Sequence, residues 1–240
     1  MNSPLSSKTA TDAELHTRIA ELIGEDIRFI AEFRVVAPKT IEHCQAIFKH
    51  TTTKILPFGQ GTTCKFPITE PNAIGLSTIL FNKAELFPSH QTISVGAGCA
   101  VNEVNDLLTQ NGFSVPALTR FQGGSIGGRL AMVSSSPSLT NGNGWIQSLL
   151  GLTVLLPSGE IIQAGGHCIK DVAGYDVRHL FTGSRGAFGL IVNAVFRMVP
   201  LSPIPDLSSF DINVNNFAPI SERWQKLFDP THRMVMGIGR

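Results

Sequence analysis

The sequence predicts an α+β fold, on the strength of an early strand–helix–strand unit, a later series of short strands that includes a hairpin, and two glycine-rich turns at element ends. Phe33-Arg-Val-Val-Ala37 is strand-like and stops at Pro38. Thr40 then caps a helix whose apolar side is Ile41, Cys44, Ile47 and Phe48, and Thr53–Leu56 returns as a strand. This βαβ order runs directly into the first glycine loop, Leu56-Pro-Phe-Gly59-Gln-Gly61-Thr62-Thr63.

The remaining elements follow from spacing and punctuation. Leu15, Ile19, Leu22 and Ile23 have helical spacing across Thr11–Ile23, with acidic residues in the first turn and Gly24 after the end. Thr78–Leu80 and Thr92–Val95 read as two strands around a polar connection, and Asn102 starts a helix over Glu103–Asn111 that Gly112 closes. Arg129-Leu-Ala-Met-Val133 reads as a short helix, and Ser134–Gly144 as a long loop of turn formers. A hairpin comes next: Leu149–Leu156, a turn at Pro157-Ser-Gly-Glu160, and Ile161–Ala164. A helix from Asp176 to Thr182, a Gly183-Ser-Arg-Gly186 turn and an apolar strand from Phe188 to Val199 complete the body, which Pro200, Pro203 and Pro205 end.

Composition narrows the function classes. At 240 residues and 42% hydrophobic content, the chain can bury a substantial core in one large domain or two lobes. Only 15% of residues are charged and the net charge is +1, so no field exists to gather nucleic acid or an anionic membrane. The first residues lack the basic-then-apolar order of a secretory signal and no run is long enough to span a bilayer, so the expected location is cytoplasmic. Cys44, Cys64, Cys99 and Cys168 form no Cys-x-x-Cys pair, which fits reduced thiols and no metal or iron–sulfur site.

The chemistry points to the second glycine loop, Phe121-Gln-Gly-Gly-Ser-Ile-Gly-Gly-Arg-Leu-Ala131. Gly123, Gly124, Gly127 and Gly128 let backbone approach a ligand closely, and N–H groups at the following helix start suit an anion. With Gly59 and Gly61 in the first loop, two such turns suggest a diphosphate. Neither reads Gly-x-Gly-x-x-Gly after a strand nor ends in Gly-Lys-Ser/Thr, so the common nucleotide folds are excluded.

Lys170-Asp-Val-Ala-Gly-Tyr-Asp176, His179-Leu180, Gly183-Ser184, Gly186, Gly189-Leu-Ile191 and Pro200 together resemble the closing part of the FAD-binding domain of vanillyl-alcohol-oxidase-type (PCMH-type) flavoproteins. Pro38, Pro57–Thr62, Val95-Gly-Ala-Gly98, Ser125-Ile-Gly-Gly128 and Leu155-Leu-Pro-Ser-Gly159 fall in the order of that family, over roughly Phe33 to Pro203. Within it the chain is most similar to the FAD-binding subunit of glycolate oxidase, or glycolate dehydrogenase.

The resemblance implies two lobes with non-covalent FAD between them: a small N-terminal βαβ lobe at about 25–85 and a larger mixed-sheet lobe at about 86–205. Residues 1–24 would be an N-terminal helix or tail, and 206–240 a remnant of a cap. The implied cofactor-binding residues are Pro57, Phe58, Gly59, Gln60, Gly61 and Thr62 on the first loop, and Gly124, Ser125, Ile126, Gly127, Gly128 and Ser135 around the second. Lys170, Gly174 and Tyr175 would pack near the loops, with Gly186, Gly189 and Ile191 bordering the adenine or flavin.

The sequence departs from the family where Ser135-Ser-Pro137 replaces Ser-Gly-Pro and Ile146-Gln147 replaces an Arg-Asp pair. About 37 residues follow Pro203, little for a cap, with Trp224–Phe228 reading as the start of a cap helix. Trp224, Leu227, Phe228 and Met234 are expected to leave apolar surface exposed there. Two functions are consistent with this. One is an FAD-carrying subunit of a glycolate dehydrogenase-like complex, oxidising 2-hydroxy acids beside a catalytic flavoprotein subunit and an iron–sulfur subunit, peripheral to a membrane through those partners. The other is a non-catalytic FAD-binding or structural subunit that stabilises the catalytic partner. No catalytic residue is assigned.

Overall fold

The computed structural model describes residues 17, 19–21, 28–30, 33–62, 64–65, 73–119, 121–133, 148–166, 177–201, 222–235 and 238–239. Residues 17 and 19–21 are helical, and Ile19 is fully buried; the rest of the Thr11–Ile23 helix expectation lies outside the described residues.

The first sheet contains β1 (Arg28–Ile30), β2 (Phe33–Val36), β3 (Ile55–Phe58) and β5 (Ile74–Ser77), in the order β1-β2-β5-β3; β4 (Cys64–Lys65) lies outside it. β2 and β3 both run parallel to β5, while β1 is antiparallel to β2. Between β2 and β3, helix α1 (Ile41–His50) begins where Thr40 offers its hydroxyl oxygen to the His43 N–H at 3.3 Å, and it buries Cys44, Ile47 and Phe48. The strand expected at Thr78–Leu80 lies four residues earlier. Ile74 through Ser77 are all buried because β5 is central, whereas Thr78–Phe81 closes a turn through Phe81 N–H to Thr78 C=O at 2.8 Å and leaves Ile79 and Leu80 exposed.

The second sheet contains β6 (Ala84–Phe87), β7 (Thr92–Gly96), β9 (Leu149–Leu155), β10 (Ile161–Gly165) and β11 (Leu190–Arg197), in the order β10-β9-β11-β7-β6. A small pair joins β8 (Phe113–Ser114) to β12 (Val199–Pro200). All pairings in the second sheet are antiparallel, so the mixed pairing expected there belongs to the first sheet. For β9 and β10 a short turn allows only this direction: Pro157-Ser158-Gly159 joins them, closed by the Leu156 N–H to Glu160 C=O bond of 2.8 Å. Helices α2 (Val101–Gln110) and α3 (Ile126–Met132) contribute Val104, Leu108, Ile126 and Leu130 to the main core beside Ile93, Val154 and Phe196. Leu155, Leu190 and Val192 of the second sheet instead join Ile55 and Leu76 of the first and Ile47 of α1, so the two sheets share apolar contacts.

Helix α4 (Arg178–Phe181) precedes the glycine turn at 183–186, and α5 (Glu222–Phe228) opens the C-terminal segment, which ends in β13 (Ile238–Gly239) against β4. This segment folds back on the body. Phe228 packs edge-on against Phe181 with ring centroids 5.6 Å apart, and Met234 pairs with Ile55 at the edge of the first sheet. Asp229 is fully buried and accepts the Arg233 and Met234 N–H groups at 2.9 and 2.8 Å. The buried Arg233 guanidinium bonds Phe48 C=O, Thr51 Oγ1 and Pro157 C=O, tying α1 to the β9–β10 turn. Among the described residues of this segment, exposed apolar surface is therefore limited to Trp224 and Leu227; against expectation, Phe228 is half-buried against Phe181 and Phe188, and Met234 is buried because the backbone of Arg233 and Val235 completes hydrogen bonds left open by Ile55.

Candidate functional site

Three glycine-containing turns converge at one place. The first, Gly59–Thr62, leaves β3; the second, Gly123–Gly128, leads into α3; the third, Gly183–Gly189, leads into β11. They touch directly. A Cβ on Gly59 would collide with Ser125 Oγ, and one on Gly186, whose φ is +82°, would lie 2.7 Å from the Pro57 ring. Two adjoining clefts result, both open to solvent, which share Pro57, Gly59, Gly128, Ala131 and Gly186. The first has an apolar wall of Phe58, Leu190 and Ile191 with Thr78 beside it, and the second is lined by Gln60, Gly61, Thr62, Ser125, Met132 and Arg185.

Backbone donors are not distributed as glycine content suggests. In the second loop the Ile126 N–H is bonded to Cys99 C=O at 2.9 Å, Gly127 N–H to Ala97 C=O at 2.8 Å, and Gly128 N–H to Ser125 Oγ at 3.2 Å. Among the described residues, the N–H groups of Gly59, Gln60, Gly61 and Ser125 have no protein acceptor. Gly59 is held in place instead through its carbonyl, which accepts the Ser77 hydroxyl at 3.3 Å. Arg129 fixes the far side of the second loop: its Nε donates to Gly123 C=O at 2.9 Å, and its guanidinium lies 5.3 Å over the Phe121 ring. Burial lowers the Arg129 pKa from its ordinary value without removing the charge.

Of the residues singled out in the sequence, Pro57 through Thr62, Ser125, Gly127, Gly128, Gly186, Gly189 and Ile191 all line these clefts. Gly124 faces the Arg129 side chain and Ile126 is buried in the core, so neither lines them. Ser135, Lys170, Gly174 and Tyr175 lie outside the described residues. Thr78, Ala131, Met132, Arg185 and Leu190 line the clefts without having been singled out. Arg185 had a visible signal, a cation between the glycines of a Gly-Ser-Arg-Gly turn, which the structure places at φ +54°.

A cleft with open backbone donors at one end and an apolar wall at the other suits a molecule that joins a diphosphate to flat ring systems, the class of dinucleotide cofactors. The FAD binding domain family matches residues 34–165, and the chain belongs to that family; FAD is its cofactor. The chain is 28% identical to a D-lactate dehydrogenase of Archaeoglobus fulgidus, an alignment covering 72% of this chain and 40% of that protein. It is 27% identical to a D-2-hydroxyglutarate dehydrogenase of Xanthomonas citri, covering 77% and 41%, and 29% identical to the glycolate oxidase subunit GlcD of Bacillus subtilis, covering 69% and 37%. The chain thus spans about 40% of the length of these relatives. An alkyldihydroxyacetonephosphate synthase structure superposes with a TM-score of 0.55 at 19% identity, over 71% of this chain and 32% of that one, and shares the PCMH-type fold. Among the described residues, no helix is long and apolar enough to cross a membrane.

Proposed function

We propose that this chain is the FAD-holding part of an oxidoreductase that acts on small 2-hydroxy acids, within a glycolate dehydrogenase-like assembly that includes a catalytic flavoprotein subunit and an iron–sulfur subunit. The observation that carries it is the convergence of the three glycine turns on one cleft in a chain of the FAD binding domain family. Gly59, Gln60, Gly61 and Ser125 N–H groups would hold the diphosphate, and Phe58, Leu190 and Ile191 would exclude water from a ring system. When bound, FAD supplies the hydride acceptor for oxidation of an alcohol carbon.

The binding is non-covalent in this reading, because none of the described residues lining the clefts is a cysteine or a histidine. Nor is any of them a carboxylate, so the described walls carry no group to take the hydroxyl proton of a substrate. That observation favours a second reading, a subunit that binds FAD without being catalytic and stabilises the catalytic partner. Purification followed by acid precipitation tests the cofactor assignment: flavin is expected in the supernatant, and a preparation without flavin would overturn it. Dye reduction with glycolate and D-lactate, with and without the co-expressed partners, separates the two readings. Turnover that appears only with this chain's flavin loaded supports the first; turnover by the partners unaffected by its flavin supports the second.

A further inference from the structure

We propose that Arg185 is the cationic ligand of the FAD diphosphate, making this chain selective for flavins that carry a diphosphate. The proposal rests on the reading that FAD occupies the cleft between the glycine turns.

Position and charge carry it. Among the described residues that line the two clefts, Arg185 is the one with a charged side chain, and it lines the same cleft as Gly59, Gln60, Gly61 and Ser125, whose N–H groups have no protein acceptor among the described residues. Its backbone is fixed on two sides. The Arg185 N–H donates to Ala131 C=O at 2.8 Å and the Gly183 N–H to Leu130 C=O at 2.9 Å, so the turn is tied to the last residues of α3. On the other side, Gly186 sits against Pro57, at the base of the first loop. Arg185 also adopts φ +54°, a conformation that an L side chain rarely takes and that a tightly bonded turn must impose. The Ser184 hydroxyl imposes it by accepting the Gly186 N–H at 3.3 Å while donating to Phe181 C=O at 2.7 Å.

Open N–H groups supply directed donors but only partial charge, and a diphosphate carries full negative charge. A guanidinium beside them supplies the missing charge, and its five N–H donors let it bond phosphate oxygens in addition to any protein partner. The α3 N-terminus cannot do this alone, since its Ile126 and Gly127 N–H groups are already bonded to protein carbonyls. The chain therefore meets the two halves of FAD differently: the apolar wall takes rings, and Arg185 with the first loop takes the diphosphate.

The test is titration of the flavin-free protein with FAD and with riboflavin, which keeps the isoalloxazine ring and lacks the diphosphate and adenosine, for wild type, Arg185→Gln and Arg185→Lys. Arg185→Gln is expected to weaken FAD binding on the order of ten-fold or more at low salt, with riboflavin affinity unchanged and a shallower dependence of FAD affinity on salt. Arg185→Lys should fall between, since it keeps the charge and loses the fork. Equal FAD affinity for wild type and Arg185→Gln would overturn the proposal. So would an equal loss for FAD and riboflavin, which would mean that the substitution disturbs the turn and not a diphosphate contact. If wild type binds no FAD, the reading on which the proposal rests fails and the proposal falls with it.

Discussion

The first and second glycine loops look interchangeable in the sequence, but the structure gives them different work. In Gly59–Thr62 the glycine N–H groups have no protein acceptor among the described residues and face a cleft. In Gly123–Gly128 the N–H groups of Ile126, Gly127 and Gly128 are all taken by protein oxygens, and Gly127 packs so close to β7's continuation that its missing Cβ would be 2.8 Å from Ala97 Cβ. The second loop spends its glycines on bringing α3 against the sheet, and the first spends them on presenting backbone. Glycine content marks close backbone approach, and whether the approaching group is a ligand or the protein itself depends on which acceptors the fold has already brought near.

The sharpest way to break this contrast is Gly127→Val. Ala97 is fully buried, so the added side chain overpacks the core, and a loss of about 3 kcal/mol in the stability of the flavin-free protein is expected. Gly128→Ala is the control, because its Cβ would meet only Ser125 Oγ, at 3.0 Å, beside the cleft. Thermal unfolding of both proteins without FAD decides the matter. If Gly127→Val unfolds at the wild-type temperature, the second loop is not a packing device and its glycines must be explained by ligand contact.

Much of this architecture could be read from local sequence. Thr40 declared its helix and Pro157-Ser158-Gly159 its hairpin, because each signal is satisfied by neighbours a few residues away; Gly59, Gly61, Gly127 and Gly128 marked their turns, although Gly59 meets Ser125 and Gly127 meets Ala97 from far along the chain. What escaped was set by distant partners. Ile79 and Leu80 have the β-propensity of a strand, but the burial that makes one falls on Ile74–Ser77, which sits between β2 and β3. β6 was missed because as an edge strand it keeps Glu85 exposed and carries little alternation. The pairing of Met234 with Ile55 spans most of the chain, and nothing local to Met234 announces it. In the candidate site, the loop positions were legible and the allocation of their N–H groups was not, since Ala97 and Cys99 carbonyls become acceptors only when β7's end is laid under α3.

A smaller effect is expected from Gly61→Ala, which tests the first loop. Gly61 has φ +75°, where an L side chain costs about 1–2 kcal/mol, and its Cβ would lie 2.7 Å from Phe58 Cζ. Because the loop lies at the surface of the cleft and not under a helix, modest destabilisation should come with a fall in FAD affinity on the order of ten-fold, about 1.4 kcal/mol. Differential scanning fluorimetry and FAD titration on one preparation measure both. A stability loss with unchanged FAD affinity would show that Gly61, like Gly127 of the second loop, serves packing alone.

The smallest expected effect uses Cys99 as a reporter beneath the second loop. Its carbonyl accepts the Ile126 N–H at 2.9 Å, and its buried thiol donates to Lys83 C=O at 3.5 Å. Burial pushes the Cys99 pKa up from 9.0 to about 11, and that of Cys44, on the buried face of α1, from 9.0 to about 12. Between the unfolded and folded values the folded state holds more protons than the unfolded chain, so stability should be flat below pH 9 and decline as pH rises through about 11. At mildly alkaline pH, alkylation mapped by mass spectrometry should leave both thiols unmodified, because the reactive thiolate is scarce and access is blocked. FAD should not change the protection of Cys99, since the loop above it is already closed by its own hydrogen bonds. A marked slowing of Cys99 alkylation on adding FAD would mean that the second loop opens in the absence of ligand, and the division of labour between the two loops would then be one of degree.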